Sequence, residues 1–404
     1  MHMVFACHSA LTAGAERSIA ALVGAAVGRG HRATVVLPRS GPIEVVLRRT
    51  APGAGIVYCR AQWWMGIDHR GVPGMLRLVQ ASVHTVGWLR LIRRLRPDLV
   101  IVGSTVAPAP MFASRLAMCR SAILVSESIR TNPTLSSVLP KNLIVAFIRR
   151  WATISIAVSE YVAAQFGSVV AIEPPDVSDQ ARPGFDAVDD GPPFRIDGLR
   201  TVMLGTLSEE KGQEEAVRAI GLLPELPQVT LDLYGDADGR SLERLRSLVN
   251  ELGLDSRVRH RGTTDDPIRV LRSADVSIVC SRNEAYGRVT AESLMAGTPV
   301  IAYDLGGTSE ILRSGGGVLV PPRPEEVAGA LARFATDGSS YARAKEEAVE
   351  ASRDRSRFGD ASRTLTAIES LLAQDSTATP LSVGGAGSLT PIDRRSGGKT
   401  CGSR

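Results

Sequence analysis

Short runs of β-branched and aliphatic residues alternate with stretches whose apolar positions recur every three or four residues, and the alternation begins almost at the first residue. Val4 to Cys7 reads as a buried strand, a polar loop follows, and Arg17 to Val27 reads as a helix. After Arg29-Gly30-His31 a second strand runs from Ala33 to Leu37. This is one βαβ unit, the building block of a parallel sheet with helices on both faces. The pattern predicts further strands at Gly55 to Cys59, Asp98 to Val102, Ala122 to Val125 and Ile154 to Val158, with Ser159 placed to cap the helix that follows.

Between Glu173 and Arg200 the periodicity gives way to Pro174-Pro175-Asp176, Arg182-Pro183-Gly184 and Asp189-Asp190-Gly191-Pro192-Pro193, which reads as a linker. A second α/β run then carries strands at Thr201 to Leu204, Val229 to Tyr234, Val276 to Cys280, Pro299 to Tyr303 and Gly317 to Val320. Its helix at Ser241 to Leu252 places Leu242, Leu245, Leu248, Val249 and Leu252 on one stripe, closed by Gly253. Asp360 to Leu372 gathers Leu365, Ile368, Leu371 and Leu372 on one helical face, and from about Asp375 the chain turns Ser/Thr/Gly-rich and reads as a disordered tail. The expected organisation is a first domain over 1–172, a linker over 173–200, a second domain over 201–345, helices over 346–374 and a tail over 375–404.

At 404 residues two cores are expected, since a single core rarely grows past ~300 residues. No uncharged apolar run approaches the ~20 residues that span a bilayer, and the first ~30 residues lack a signal-peptide layout, so the expected location is cytoplasmic, with room for contact at the inner membrane face. The five cysteines are scattered and never form a Cys-x-x-Cys pair, which argues against a disulfide framework or a zinc site. The six histidines show no ligand spacing either, so no metal is expected. A formal charge of +5 without a basic, aromatic-studded stripe gives no reason to expect nucleic acid.

The most informative segment runs from Ser281 to Val300, after a strand and into a helix. Free N–H groups at such a helix start, here Gly287, Arg288 and Val289, attract phosphate, and Gly287 lets the backbone come close. Glu284 precedes the helix and Glu292 lies about one turn inside it; carboxylates accept hydrogen bonds from sugar hydroxyls.

Glu284-x7-Glu292 followed by Ala296-Gly297-Thr298-Pro299-Val300 resembles the donor-site motif of retaining GT-B glycosyltransferases, specifically the GT4 family. The likeness extends over about Thr201 to Gly338: Val202 to Gly212 resembles the family's strand and phosphate loop, Tyr234-Gly235-Asp236 its second strand end, and Asp304 to Glu310 its glycine-rich loop. Ala13-Gly14-Ala15-Glu16-Arg17 and Arg29-Gly30-His31 resemble its opening loop and helix end. The resemblance implies a two-domain fold around a cleft, with the final helix docked on the first domain. It implies a nucleotide diphosphate sugar as donor and no cofactor. Glu292 would bind ribose hydroxyls, Glu284 would face the transferred sugar, Lys211 would bind the diphosphate, and Gly205 and Gly14 would complete the cradle. Cleavage puts negative charge on the diphosphate, which fixed cations and N–H dipoles must meet when no metal does.

Two positions depart from the family. Thr206 stands where an arginine usually follows the glycine of the phosphate loop, with Arg288 and Arg282 as candidate substitutes. Val125-Ser126-Glu127-Ser128 stands where many relatives carry a histidine, making Glu127 a candidate sugar or acceptor contact with a catalytic role. The expected function is transfer of a sugar, with retention, to a lipid-linked or polymeric envelope glycan. A nucleotide-sugar binder without catalysis and a sugar-nucleotide epimerase stand as alternatives. His8 reads as a packed residue or a base. Gly306 and Gly307 read as a turn or as ligand contacts. Trp63-Trp64 reads as core or as a sugar- or membrane-facing pair, and Trp88 to Arg96 and Phe147 to Trp151 as packed helices or as lipid-facing ones.

Overall fold

The computed structural model describes residues 1–66, 69–167, 171–177, 198–354 and 357–377, residues 375–377 by backbone alone. Alternating strands and helices build two parallel sheets. The first contains β1 (His2–Ala6), β2 (Arg32–Leu37), β3 (Gly55–Tyr58), β4 (Leu99–Val102), β5 (Arg120–Val125), β6 (Ile154–Ala157) and β7 (Ala171–Ile172), in the order β3-β2-β1-β4-β5-β6-β7. The second contains β8 (Arg200–Leu204), β9 (Thr230–Tyr234), β10 (Val258–His260), β11 (Val276–Val279), β12 (Val300–Tyr303) and β13 (Gly317–Val320), in the order β10-β9-β8-β11-β12-β13. The two-domain, Rossmann-like α/β class expected from the alternation is the one the chain adopts. In each sheet the order reverses once, between β1 and β4 and between β8 and β11, and ligands of such sheets lodge beyond the carboxyl ends of the strands at that reversal.

The first domain carries α1 (Gly14–Gly28), α2 (Ile43–Thr50), α3 (Gly71–Leu95), α4 (Ala109–Leu116), α5 (Lys141–Trp151) and α6 (Glu160–Phe166). The second carries α7 (Gln213–Gly221), α8 (Gly239–Glu251), α9 (Pro267–Ser273), α10 (Arg288–Met295), α11 (Gly306–Leu312), α12 (Pro324–Thr336) and α13 (Gly338–Arg353), and the chain then forms α14 (Ala361–Thr377). Ser159 accepts a hydrogen bond from Val162 N and starts α6, a cap worth about 1 kcal/mol. In α8, Leu245, Leu248 and Val249 are buried as the stripe predicts, whereas Leu252 is its C-cap and lies exposed.

One face of the first sheet is covered by α1, α2 and α14, whose Ile19, Leu47, Leu365 and Ile368 are buried with Phe5 and Val35. The other is covered by α3, α4 and α5 through Trp88, Met111 and Ile144. Glu369 of α14 meets both Arg29 and His31 at 2.7 Å, so the final helix is held on the first domain by charge as well as by its leucines.

The structure corrects one expectation and adds detail to two others. Of the helices over 346–374 only α14 returns to the first domain; α13 stays on the second, where Lys345 donates to Gly297 O at 2.8 Å and Glu347 accepts from Gly316 N at 2.9 Å. Within the expected linker, Asp176 forms a parallel bridge with Gly359 and accepts from Ala361 N; residues 178–197 lie outside the described residues. The helical pattern runs to Thr377, past the expected start of the tail, whose remainder, 378–404, is likewise outside. Cys7 and Cys280 are buried free thiols, the latter pushed up to about 12 by burial; Cys401 is outside the described residues.

Candidate active site

At the reversal of the second sheet, two loops leave neighbouring strands. The loop after β8 carries Gly205, Thr206 and Lys211; the loop after β11 carries Arg282, Asn283 and Glu284. Lys211 Nζ lies 2.7 Å from Glu284 Oε2, and the lysine stem passes beside Gly205, 3.8 Å from where a Cβ there would stand. Burial pulls the Lys211 pKa down, but the charge and hydrogen bond of Glu284, with Glu210 behind, outweigh it and hold the ammonium above its ordinary value. Burial raises the Glu210 carboxyl, and Thr134 of the first domain donates to it at 3.3 Å. Thr206 is exposed and its carbonyl accepts from Gln213.

Helix α10 opens at Gly287, whose φ of +102° an L side chain would resist. Arg288 then reaches out of the second domain. Its guanidinium donates to Ser18 Oγ and to Asp176 O, each at 3.0 Å, and stands 3.5 Å from Glu292 one turn along its own helix. Its Cδ lies only 2.6 Å from where a Cβ on Gly14 would be, so the absent side chain at Gly14 is what lets the arginine lie against the start of α1. The Arg288 side chain thus spans from the start of α10 to the first turn of α1. A small cavity of about 30 Å³, lined by Ala15, Ser18, Gly103, Ser126 and Asp176 among others, opens on the first-domain side of this contact.

The loops after β4 and β5 form the opposite wall. Both carboxylate oxygens of Glu127 are engaged there, one by Ser104 Oγ and the other by Thr105 N and Thr105 Oγ1 at 3.2 and 2.6 Å. The next residue, Ser128, donates to Asn283 Oδ1 at 2.7 Å, which sets Glu127 and Glu284 on facing walls with their neighbours joined. A second tie runs from Glu310 of α11, whose carboxylate accepts the free N–H groups of Glu160 and Tyr161 at the start of α6 at 2.9 and 2.5 Å. His8, after β1, pairs with the buried Glu16 of α1 at 3.1 Å, and Trp63 donates from its indole N–H to His8 O.

Two groups of the expected residues are in contact, Gly205, Lys211 and Glu284 in one and Gly14, Arg288 and Glu292 in the other, with Gly287 opening the helix that carries Arg288. Of the two arginines named as substitutes for the one missing at Thr206, Arg282 turns away to Glu215, at 3.4 Å, and Arg288 alone reaches the cleft. Gly307 N donates to Glu284 O at 2.9 Å, so the glycine-rich loop braces the backbone of Glu284. Trp64 is core, edge-on to Phe112, and Trp88 is fully buried, so neither meets a sugar or a membrane. Phe147 and Trp151 pack edge-on against Phe112, which removes Phe147 to Trp151 as a lipid-facing helix by its aromatics. Sequence reasoning missed Ser18, Asp176, Asn283 and the role of Glu310. Each acts on a partner more than a hundred positions away, and no local pattern marks it.

Residues 192–351 match the family model described as glycosyl transferases group 1. The D-inositol 3-phosphate glycosyltransferase of Jonesia denitrificans is 38% identical over 140 residues, covering 32% of this chain and 33% of that protein. The lipopolysaccharide core biosynthesis glycosyltransferase LpsE of Rhizobium meliloti is 33% identical over 149 residues, 36% of this chain and 42% of its own. The match thus spans less than half of these curated relatives. Among solved structures, HepE of Anabaena in complex with UDP and glucose superposes with a TM-score of 0.70 at 20% identity, covering 93% of this chain and 99% of that one. Sucrose-phosphate synthase of Thermosynechococcus elongatus superposes at 0.71 and 17% identity, covering 93% and 100%. At such identities the likeness speaks to fold alone. The chain therefore has the GT-B fold, and its residues 192–351 match the glycosyl transferases group 1 model.

Proposed function

We propose that the protein transfers a sugar from a nucleotide diphosphate donor, with retention and without a metal, to an acceptor held between the two domains. The observation that supports this reading is that each of two cations, Lys211 and Arg288, stands beside one carboxylate of the Glu284-x7-Glu292 pair, Lys211 at Glu284 and Arg288 at Glu292. Departure of the diphosphate places negative charge there, and fixed cations and N–H dipoles stabilise it most where water is excluded. Glu292 takes the ribose hydroxyls once the donor loosens its long contact with Arg288. Glu284 faces the transferred sugar and keeps Lys211 charged, while Gly205, Gly14, Gly287 and Val289 let the phosphates approach the backbone. Glu127, fixed by Ser104 and Thr105, shapes the acceptor wall and contacts the sugar or the acceptor. The donor is a nucleotide sugar, and the protein HepE, solved with UDP and with UDP-glucose, makes a uridine nucleotide the first to try. Relatives whose names speak of lipopolysaccharide core and exopolysaccharide support a lipid-linked or polymeric envelope glycan as acceptor.

A second reading rests on one residue. Thr206 leaves the phosphate loop without a guanidinium, and a nucleotide-sugar binder without catalysis would tolerate that loss. Calorimetric donor binding with no release of nucleotide diphosphate on adding acceptors favours the binder; interconversion of donor sugars without acceptor favours an epimerase; acceptor-dependent release supports the transferase.

A further inference from the structure

Helix α3 is apolar on both sides. Ala81, Thr85, Trp88 and Ile92 face the sheet and are buried. On the opposite side Val72, Met75, Leu76, Val79, Val83 and Val86 are 48–75% exposed. At about 100° per residue these six fall within a single stripe roughly 100° wide and about 21 Å long. Arg90, Arg93 and Arg94 continue the same stripe toward the C-terminus, and all three are exposed. An outward apolar face of this length is unusual on a soluble surface and marks an interaction site.

Charge selects the occupant. Helices α3, α4 and α5, which form this whole layer, contain no Asp or Glu and carry eight Lys or Arg between them. A second copy of the chain would bring the same cations and no carboxylate to answer them. An anionic phospholipid surface answers both features: acyl chains take the valines, and phosphates take the arginines at the end of the stripe. Among the described residues no helix is long and apolar enough to cross a membrane, so α3 would lie in the interface plane.

We propose that α3 docks the protein on an anionic phospholipid bilayer through Val72 to Val86, with Arg90, Arg93 and Arg94 at the headgroups. The aromatic clusters singled out in the sequence play no part, since they pack inward. The position of α3 gives docking a use. Its first turn closes over His69 at Gly74, the strand bridge of Gly66 with Ser136 precedes it, and Trp63 of the same loop lies against His8 at the cleft mouth, ring centroids 5.5 Å apart. A lipid-borne acceptor leaving the bilayer at the start of α3 would meet the cleft directly, a consequence that rests on the transferase reading; docking itself does not.

The test is co-sedimentation of the full chain with vesicles of mixed phosphatidylglycerol and phosphatidylcholine, and with phosphatidylcholine alone, alongside calorimetric UDP binding. The expected result is binding to the anionic vesicles, weakened by salt and absent with phosphatidylcholine. Both V79D/V83D and R90E/R93E should lower it by roughly tenfold or more with melting temperature and UDP binding unchanged, because all four positions are exposed. No vesicle binding by the wild type at low salt, or equal binding by V79D/V83D, overturns the proposal. So does a wild-type dimer in sedimentation velocity that V79D/V83D dissolves, with no vesicle binding. Loss of UDP binding in the wild type with vesicle binding intact would instead sink the donor-site reading and leave docking standing.

Discussion

Lys211 Nζ and Glu284 Oε2 stand 2.7 Å apart although 73 positions separate them, because the sheet order reverses between the strands that carry their two loops. A lysine whose folded pKa lies above its unfolded value stabilises the fold at all pH below about 10.5, and loses that contribution as pH rises through the folded value. The difference in melting temperature between wild type and Lys211→Met should therefore stay constant from neutral pH upward and shrink only above 10.5. A difference that already vanishes between pH 7 and 9 would mean the lysine is not held charged by Glu284.

Gly14→Ala separates packing from function. Its Cβ would stand 2.6 Å from Arg288 Cδ, a movable side chain rather than backbone. Stability should fall by under ~1 kcal/mol, measured by denaturant unfolding, while turnover falls with the displaced guanidinium. Unchanged turnover would remove Arg288 from the donor site.

Arg288→Ala should lower turnover by about a hundredfold if its guanidinium meets the leaving diphosphate. Thr206→Arg should raise it by up to about tenfold by restoring a bidentate phosphate ligand. Steady-state rates with a fixed donor compare the two, and a Thr206→Arg protein no faster than wild type would show that Arg288 already fills that role.

Much of this was legible in the chain. The alternation of short apolar runs with stretches of period 3.6 gave most strands of both sheets, and Ser159, the α8 stripe and the final helix declared themselves by local chemistry. β10, three residues with Arg259 at its centre, is too short and too polar to announce itself. The outward stripe of α3 escaped notice because Trp88 and the arginines draw the eye, and periodicity reports that a face is apolar without saying whether anything covers it. Glu284 and Glu292 were found through the family resemblance their segment carries, but the first-domain contacts around them were not. Arg288 meets Ser18 across 270 positions, a contact that only the folded topology creates.

Glu310→Ala tests whether the walls are held together as the hydrogen bonds imply. It strips the α6 start of its acceptor and should cost about 1 kcal/mol of stability, as an N-cap deletion does. Greater protease sensitivity of the linker, read by limited proteolysis, should accompany it. An unaltered melting temperature would show the contact to be incidental.

The central claim is tested most directly by nucleotide diphosphate release from a panel of UDP-, GDP- and TDP-sugars, with and without lipid-linked glycan acceptors, in the wild type and in Lys211→Met and Glu292→Ala. The account predicts acceptor-dependent release with one donor, an anomeric configuration retained in the product, and a loss of about a hundredfold in each variant. Donor binding without release, or release undiminished in both variants, would contradict it.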